Sequence, residues 1–437
     1  MNDLFRGFAL KLESTKLVWW RGLFGVFGAL ALAGAAHAEP IDFQGAYQMM
    51  PFDEEVINYS KTAAHDPVAI LQKRLASDEL TLKHDEETGY LRSLLAELKI
   101  PVSSQMLVFS KTSLQRHLIS PRSPRALFFN DDVYIGWIPG APLIEIASAD
   151  PKLGGIFYTL EQEPGGRPKL ERNNQCLECH ASSRNMGVPG HLARSFVPDE
   201  RGNVDLFSGS AMVNHRTPFA KRWGGWYVSG QHGNQAHMGN LAGEAAFAQQ
   251  EKTPNYLANL DHLSRFFNTS KYPAPYSDIV ALMVFEHQAH GHNFITRLHY
   301  ESQMGLKMYG HVRYTRTIVE GLLRYLLFVD EVALTSPVKG PTKFAEEFQK
   351  RGPRDSKGRS LRDLDLQTRM FKHPCSYLIY SDALDTLPAP TKEMFYQRLH
   401  DILTGKDTTA ELAALKPADR QAILDILLET HPPLPAS

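Results

Sequence analysis

Two cysteines and a histidine lie close together in the pentapeptide Cys176-Leu-Glu-Cys179-His180. Thiols three positions apart on one turn of helix can each form a thioether bond with one vinyl group of a porphyrin. The imidazole of the next residue can then reach the iron as its proximal ligand. The residue types and their spacing therefore predict a site of covalent haem attachment.

Two other chemistries use a pair of closely spaced cysteines. A thioredoxin-like redox pair would follow a strand and begin a helix within a β-α-β unit, whereas the segment from Glu161 to Asn174, just before the motif, is polar. A zinc site would need a second pair of Cys or His residues at ligand spacing, and the sequence has no second C-x-x-C. Haem attachment is therefore favoured over both alternatives.

At this pentapeptide the chain resembles the c-type cytochromes. The resemblance implies one covalently attached haem c, with Cys176 and Cys179 as the attachment sites and His180 as the proximal iron ligand. It covers little beyond the motif, which lies far from both ends of the chain, whereas a small cytochrome domain opens with its haem motif. The chain also differs from the di-haem peroxidases, because it has a single C-x-x-C-H. The expected type is a large mono-haem cytochrome.

The ligand on the other side of the iron would decide the function. A strong sixth ligand favours electron transfer, and an open position permits chemistry on small molecules. Met238 is one distal candidate, in the loop-like sequence Gln235-Ala-His-Met-Gly-Asn240. A loop methionine that is simply packed or exposed is the more common situation.

A second pair of distal candidates lies in the helical segment 278–301. On a helical wheel, His287 and His290 share one apolar face, whereas His292 and His299 lie on the opposite side, where we expect them to face solvent. Buried histidines satisfied by hydrogen bonds are the usual explanation for such positions. Two on one face, in a chain that needs a haem pocket, strengthen the interpretation as iron ligands or distal acid–base groups.

Other residues could serve a haem site less specifically. The aromatic and glycine residues of 223–226 would suit a flat cofactor, and Arg216 or Arg222 could pair with a haem propionate; a turn with core aromatics explains the same pattern. Glu286 could orient an imidazole, or it could be a surface carboxylate. Cys375 remains unpaired once haem takes the other two thiols, and a buried inert thiol is favoured over a redox role.

Composition and the amino-terminal sequence limit the class of protein. The chain has 437 residues, 43% hydrophobic and 22% charged, with 47 Lys and Arg against 48 Asp and Glu, so we expect a globular protein that does not bind nucleic acid. A basic leader and an apolar run end in Ala36-His-Ala38, which is typical of a signal peptide. We therefore expect export, a periplasmic or otherwise extracytoplasmic location, and no membrane span after cleavage.

Helical and strand-like patterns alternate along the chain. Period-3.6 apolar residues indicate helices at both ends, and short β-branched and aromatic runs indicate a sheet between them. We predict a mainly α protein with a β-rich insertion (α+β), of the large mono-haem cytochrome c-like type. Its expected regions are a cleaved signal peptide (1–38), an N-terminal helical segment (39–100), a β-rich segment (101–165), a haem-binding region with the motif and a helical part (166–335), and a polar loop followed by a C-terminal helical part (336–437).

Two functions follow from these expectations. The first is electron transfer by an exported mono-haem protein with a periplasmic redox partner. The alternative is a haem enzyme, a peroxidase or small-molecule oxidase, with an open or weakly held distal site. The length of the chain favours an enzyme, since a bare carrier does not need so much protein. Against it, the sequence alone does not place a distal His–Arg pair.

Overall fold

An antiparallel sheet lies at the centre of the part of the chain that the structure describes. The computed structural model describes residues 48–165, 168–204, 210–407 and 409–431. Its strands are β1 (Met106–Val108), β2 (Arg125–Phe129), β3 (Val133–Trp137), β4 (Leu143–Asp150), β5 (Gly154–Glu161), β6 (Leu170–Arg172), β7 (Arg194–Phe196), β8 (Ser210–Met212) and β9 (Trp226–Tyr227).

Seven of these strands form one sheet in the order β6-β5-β4-β3-β2-β1-β9, and β7 and β8 form a separate pair. Buried and half-buried residues alternate along β4, so one face of the sheet packs into the core and the other is partly open. The register places Arg125, Gly136, Glu145 and Phe157 on the same side. We call this side the open face.

Helices surround the sheet, and one of them is unusually long. α5 has 31 residues; the side chain of Asp278 caps its start by accepting bonds from two backbone N–H groups, and Gly310, in the left-handed conformation, ends it. Most of α5 is buried on every side. The helices are α1 (Pro67–Ala76), α2 (Leu91–Glu97), α3 (Leu177–His180), α4 (Glu244–Lys252), α5 (Ile279–Tyr309), α6 (Arg316–Leu326), α7 (Phe344–Lys350), α8 (Asp382–Asp385), α9 (Ala389–Leu403) and α10 (Pro417–Thr430).

The predicted fold class is wrong. The sheet is not an insertion in a mainly α protein: it organises a mixed fold, and the described residues show no sign of a cytochrome c fold. The sequence underestimated the sheet because β1, β6 and β9 have only two or three residues each. β9 also joins the sheet from a distant part of the chain, by pairing with β1, and local periodicity cannot reveal such a contact.

Three further expectations concern the segment after residue 336, the signal peptide and the absence of a membrane span. The segment after residue 336, predicted as a polar loop, contains α7, whose Phe344 and Phe348 are fully buried. The predicted signal peptide, 1–38, lies outside the described residues. In the described ranges, no helix combines the length and apolar character needed to cross a membrane.

A buried ion pair ties the segment before β9 to α5. Arg222 donates a hydrogen bond to Glu286, and the indole N–H of Trp223 donates to the same carboxylate at 3.0 Å. Burial raises the pKa of Glu286 to about 7, against the effect of these two donors, which favour the charged form. Both side chains are almost fully buried. Removal of either one would therefore leave the charge of the other unpaired in the core.

Replacing Glu286 with Gln should therefore destabilise the protein strongly. We expect the free energy of unfolding, measured by urea denaturation, to fall by about 3–5 kcal/mol, because the Arg222 charge stays buried without a counter-charge. Arg92→Gln breaks the exposed pair with Glu87 and should cost less than about 1 kcal/mol. Equal costs for the two variants would contradict this assignment.

Candidate haem-attachment site

The C-x-x-C-H motif forms a short helical turn beside the sheet. A 3₁₀ turn over Asn174–Cys176, capped by the side chain of Asn173, leads into α3. The thiol of Cys176 is half-buried and that of Cys179 is exposed, and neither forms a disulfide. The two thiols therefore lie on one turn, and neither is fully buried.

His180 is held by a backbone carbonyl. Its Nδ1 lies 2.9 Å from the carbonyl oxygen of Gly190, and its ring packs against Phe157 on the open face, with 4.6 Å between ring centroids. A carbonyl oxygen only accepts hydrogen bonds, so Nδ1 carries the proton and Nε2 carries the lone pair. Burial lowers the pKa of His180 to about 4, which keeps the imidazole neutral. A neutral imidazole with a free Nε2 lone pair is the form that binds a metal ion.

The loop that supplies this carbonyl, residues 181–191, is folded back onto His180. We call it the proximal loop. Gly190 donates its N–H to the His180 carbonyl at 2.9 Å, so the two residues bond in both directions. The Asn185 side chain donates to the carbonyls of Val188, at 2.7 Å, and of His180. Gly190 must be glycine, because a Cβ there would lie 2.1 Å from Oδ1 of Asn293.

α5 fixes the proximal loop from the other side. The amide of Asn293 accepts from the N–H of His191 at 2.7 Å and donates to the His191 carbonyl at 2.7 Å. One turn further along, Arg297 donates to the carbonyl of Met186 at 2.9 Å. These bonds join the position of the His180 imidazole to the longest helix of the fold. Sequence reasoning missed Asn293; the glycine and asparagine residues after the motif were the only available signal.

His292 of α5 lies close to His191 of the proximal loop. The ring of His191 packs between Tyr134 and Phe157, at centroid distances of 4.5 and 6.4 Å, and its Nε2 is buried without a hydrogen-bond partner. His292 lies 5.7 Å from the His191 ring and is only 5% exposed. The expectation that His292 and His299 face solvent is wrong, since both are buried. The wheel placed them opposite His287 and His290 but could not show that α5 is covered on all sides.

The predicted distal candidates of α5 lie in a different cluster. Nδ1 of His287 lies 2.9 Å from Nδ1 of His215, and Nε2 of His287 lies 2.7 Å from the hydroxyl of Ser376. Both of its ring nitrogens are therefore engaged by neighbours. Nε2 of His290 lies 3.5 Å from the guanidinium of Arg216, which can only donate. Within the described ranges, no hydrogen bond or ring contact joins His287 or His290 directly to His180.

The remaining predicted residues have other surroundings. Met238 is half-buried, and its sulfur accepts a hydrogen bond from Ser195 at 3.7 Å. Arg222 is held by the chain itself, because its three nitrogens donate to Glu286 and to the carbonyls of Thr217 and His215. The Glu286 carboxylate is bonded to Arg222 and Trp223 and, among the described residues, not to an imidazole. Cys375 is fully buried, and burial raises the pKa of its thiol to about 12, as expected of an inert thiol.

The residues of the motif fit a haem c by their chemistry. Two free thiols and a neutral imidazole with a fixed tautomer are the groups that such a haem requires. Across the described ranges, the motif included, no group of three or more His, Cys, Asp or Glu side chains is arranged to hold a metal ion. Searches against protein-family models, curated proteins and solved structures found no match.

Removing the side-chain amide of Asn293 should loosen the proximal loop. We expect Asn293→Ala to lower the free energy of unfolding by about 1–3 kcal/mol, because the N–H and carbonyl of His191 lose their buried partner. Hydrogen exchange should accelerate at the amides of Gly190 and His191. Asn174→Ala, at an exposed position before the motif, is the matched control and should leave both quantities unchanged. Unaltered exchange in Asn293→Ala would show that α5 does not hold the loop.

Proposed function

We propose that this chain is an exported protein that carries one covalently attached haem c and transfers single electrons to or from a redox partner. The hydrogen bond between Nδ1 of His180 and the Gly190 carbonyl is the observation that supports it most strongly. It leaves Nε2 as the only metal-binding nitrogen of an imidazole that directly follows two free thiols. A histidine that only fills space in the core would not need two adjacent thiols.

Each group of the motif would have a separate task. Cys176 and Cys179 would hold the haem by thioether bonds, and His180 would bind its iron through Nε2. When bound, the haem supplies a one-electron couple. The Gly190 carbonyl keeps the imidazole in one orientation and makes Nε2 a stronger donor. The proximal loop and Asn293 restrict movement of this ligand, which keeps the geometry similar in both oxidation states.

Export supports the same proposal from the sequence. The leader that ends at Ala38 resembles a signal peptide, and bacterial haem c is attached outside the cytoplasmic membrane. The structure contains no disulfide between Cys176, Cys179 and Cys375. In an oxidising compartment, closely spaced free thiols are expected to react, and thioether formation would protect them.

The direct test is haem staining after denaturing gel electrophoresis of the exported protein. Wild type should keep its haem and contain one haem per chain. Cys176→Ala and Cys179→Ala should each hold it less securely, and the double variant should lose it, because no thioether bond remains. Cys375→Ala is the control and should stain like wild type. A wild-type band that loses its haem, or two haems per chain, would refute the proposal.

A haem enzyme is the second candidate, and one contact favours it. The guanidinium of Arg216 lies beside Nε2 of His290, and burial lowers the pKa of His290 well below its usual value. A neutral imidazole next to a fixed positive charge can accept a proton from a small oxidant and stabilise the resulting anion. This is a His–Arg pair of the kind that the sequence could not place.

The two functions differ in their response to hydrogen peroxide. If His290 is an acid–base group, His290→Ala should slow the peroxide-induced change in the haem spectrum by about 10²–10⁴-fold. His299→Ala removes another buried histidine of α5 and should react at the wild-type rate. Wild-type kinetics in folded His290→Ala would exclude this role and leave electron transfer.

A further inference from the structure

Arg125 and Arg194 lie near the haem-attachment motif, and each has a buried Nε atom without a hydrogen-bond partner among the described residues. Nε of Arg172, just before the motif, also lacks a partner, but both Nη atoms of Arg172 donate to backbone carbonyls. An unmatched N–H of a guanidinium away from water is costly. Such an atom therefore has room for a partner beyond the described residues.

Arg125 lies flat on the open face of the sheet. Its Nη2 is 3.1 Å from a carboxylate oxygen of Glu145, and its side chain is 19% exposed. It passes over Gly136, where a Cβ would lie only 2.3 Å from Nη2. It lies on the same side of the sheet as Phe157, whose ring packs against His180, and its charge acts on both Cys176 and His180. Glu145 thus orients Arg125 but leaves Nε unpaired.

Arg194 approaches the motif from β7. Its Nη2 donates to the hydroxyl of Ser210 at 2.6 Å, and its guanidinium lies over the ring of Phe196, 4.5 Å from the centroid. It lies close enough to Cys179 for this thiol to affect the pKa of Arg194. Burial, together with the nearby charge of Arg184, lowers the pKa of Arg194 to about 10. Among the described residues, Arg194 therefore has a neighbouring hydroxyl and a neighbouring ring, but no carboxylate partner.

The geometry points to Arg125 and Arg194 as the groups that bind the two propionates of the haem attached at Cys176 and Cys179. This inference rests on the proposed function. Haem carries two carboxylates in addition to the vinyl groups used for attachment, and a guanidinium binds a carboxylate through two parallel N–H donors. Two arginines with unmatched donors, one near each cysteine, correspond in number and charge to the two propionates. The sequence had suggested Arg222 for this role, but the side chain of Arg222 is paired with Glu286. Arg125 and Arg194 take its place.

The test compares the haem-loaded full-length protein with Arg125→Gln, Arg194→Gln and the control Arg184→Gln. Arg184 is exposed and close enough to affect the pKa of Arg194, so its replacement removes one positive charge from the same region. Two quantities are measured: the midpoint potential of the haem, and the propionate bending band in the resonance Raman spectrum of the reduced protein.

We expect Arg125→Gln and Arg194→Gln each to lower the midpoint potential and to shift the propionate band. The potential falls because a positive charge next to a propionate stabilises the reduced haem. Arg184→Gln should change neither quantity beyond a small screened effect on the potential. Arg125→Lys and Arg194→Lys, which keep the charge but lose the paired donors, should shift the band with little change in potential. They also provide a measurement if a glutamine variant does not fold.

The outcomes separate this inference from the proposed function. Wild-type protein without covalent haem would refute the proposed function itself. Haem-loaded glutamine or lysine variants with the wild-type band and potential would refute the assignment of Arg125 and Arg194 and leave the proposed function standing. A potential shift of equal size in Arg184→Gln would also refute it, because the effect would then come from net charge alone.

Discussion

The hydrogen bond between His180 and the carbonyl oxygen of Gly190 is the constraint on which the site depends. It sets the tautomer of the imidazole, and it requires the proximal loop to return to the residue from which it starts. That return needs glycine at 190, where the side chain of Asn293 approaches closely. A change in any of these three residues would alter the direction in which Nε2 of His180 points.

α5 connects this site to the rest of the protein. Asn293 and Arg297 hold the proximal loop, Glu286 pairs with Arg222, and His287 bonds to His215. Polar side chains therefore leave the helix in several directions while its apolar positions pack against the sheet and the other helices. Each buried polar group requires a particular partner. The network consequently fixes the rotation of α5, and with it the position of the proximal loop.

The sequence predicted local features better than long-range ones. The helix predicted over 278–301 is present in the structure. It could be predicted because the signals for a helix, its caps and the spacing of its apolar residues, are local in the sequence. The fold class was wrong because three strands are very short and β9 pairs across a long sequence separation. His292 was misplaced because a helical wheel ranks the sides of a helix without showing whether a sheet covers the polar side.

The site was predictable to a similar extent. The motif Cys176-x-x-Cys179-His180 can be read from spacing alone, since its chemistry is contained in five residues. Asn293, Arg125 and Arg194 could not be found in this way. Their roles depend on contacts with residues far away in the chain, and as isolated residue types an asparagine and two arginines indicate no chemistry.

The central claim is that Cys176 and Cys179 carry one covalent haem. Peptide mapping by mass spectrometry of the exported protein tests it most directly. The peptide that spans both cysteines should carry the mass of one haem and no free thiol, and the peptide that contains Cys375 should be unmodified. Two free thiols, or a disulfide between Cys176 and Cys179, in the exported protein would contradict the claim.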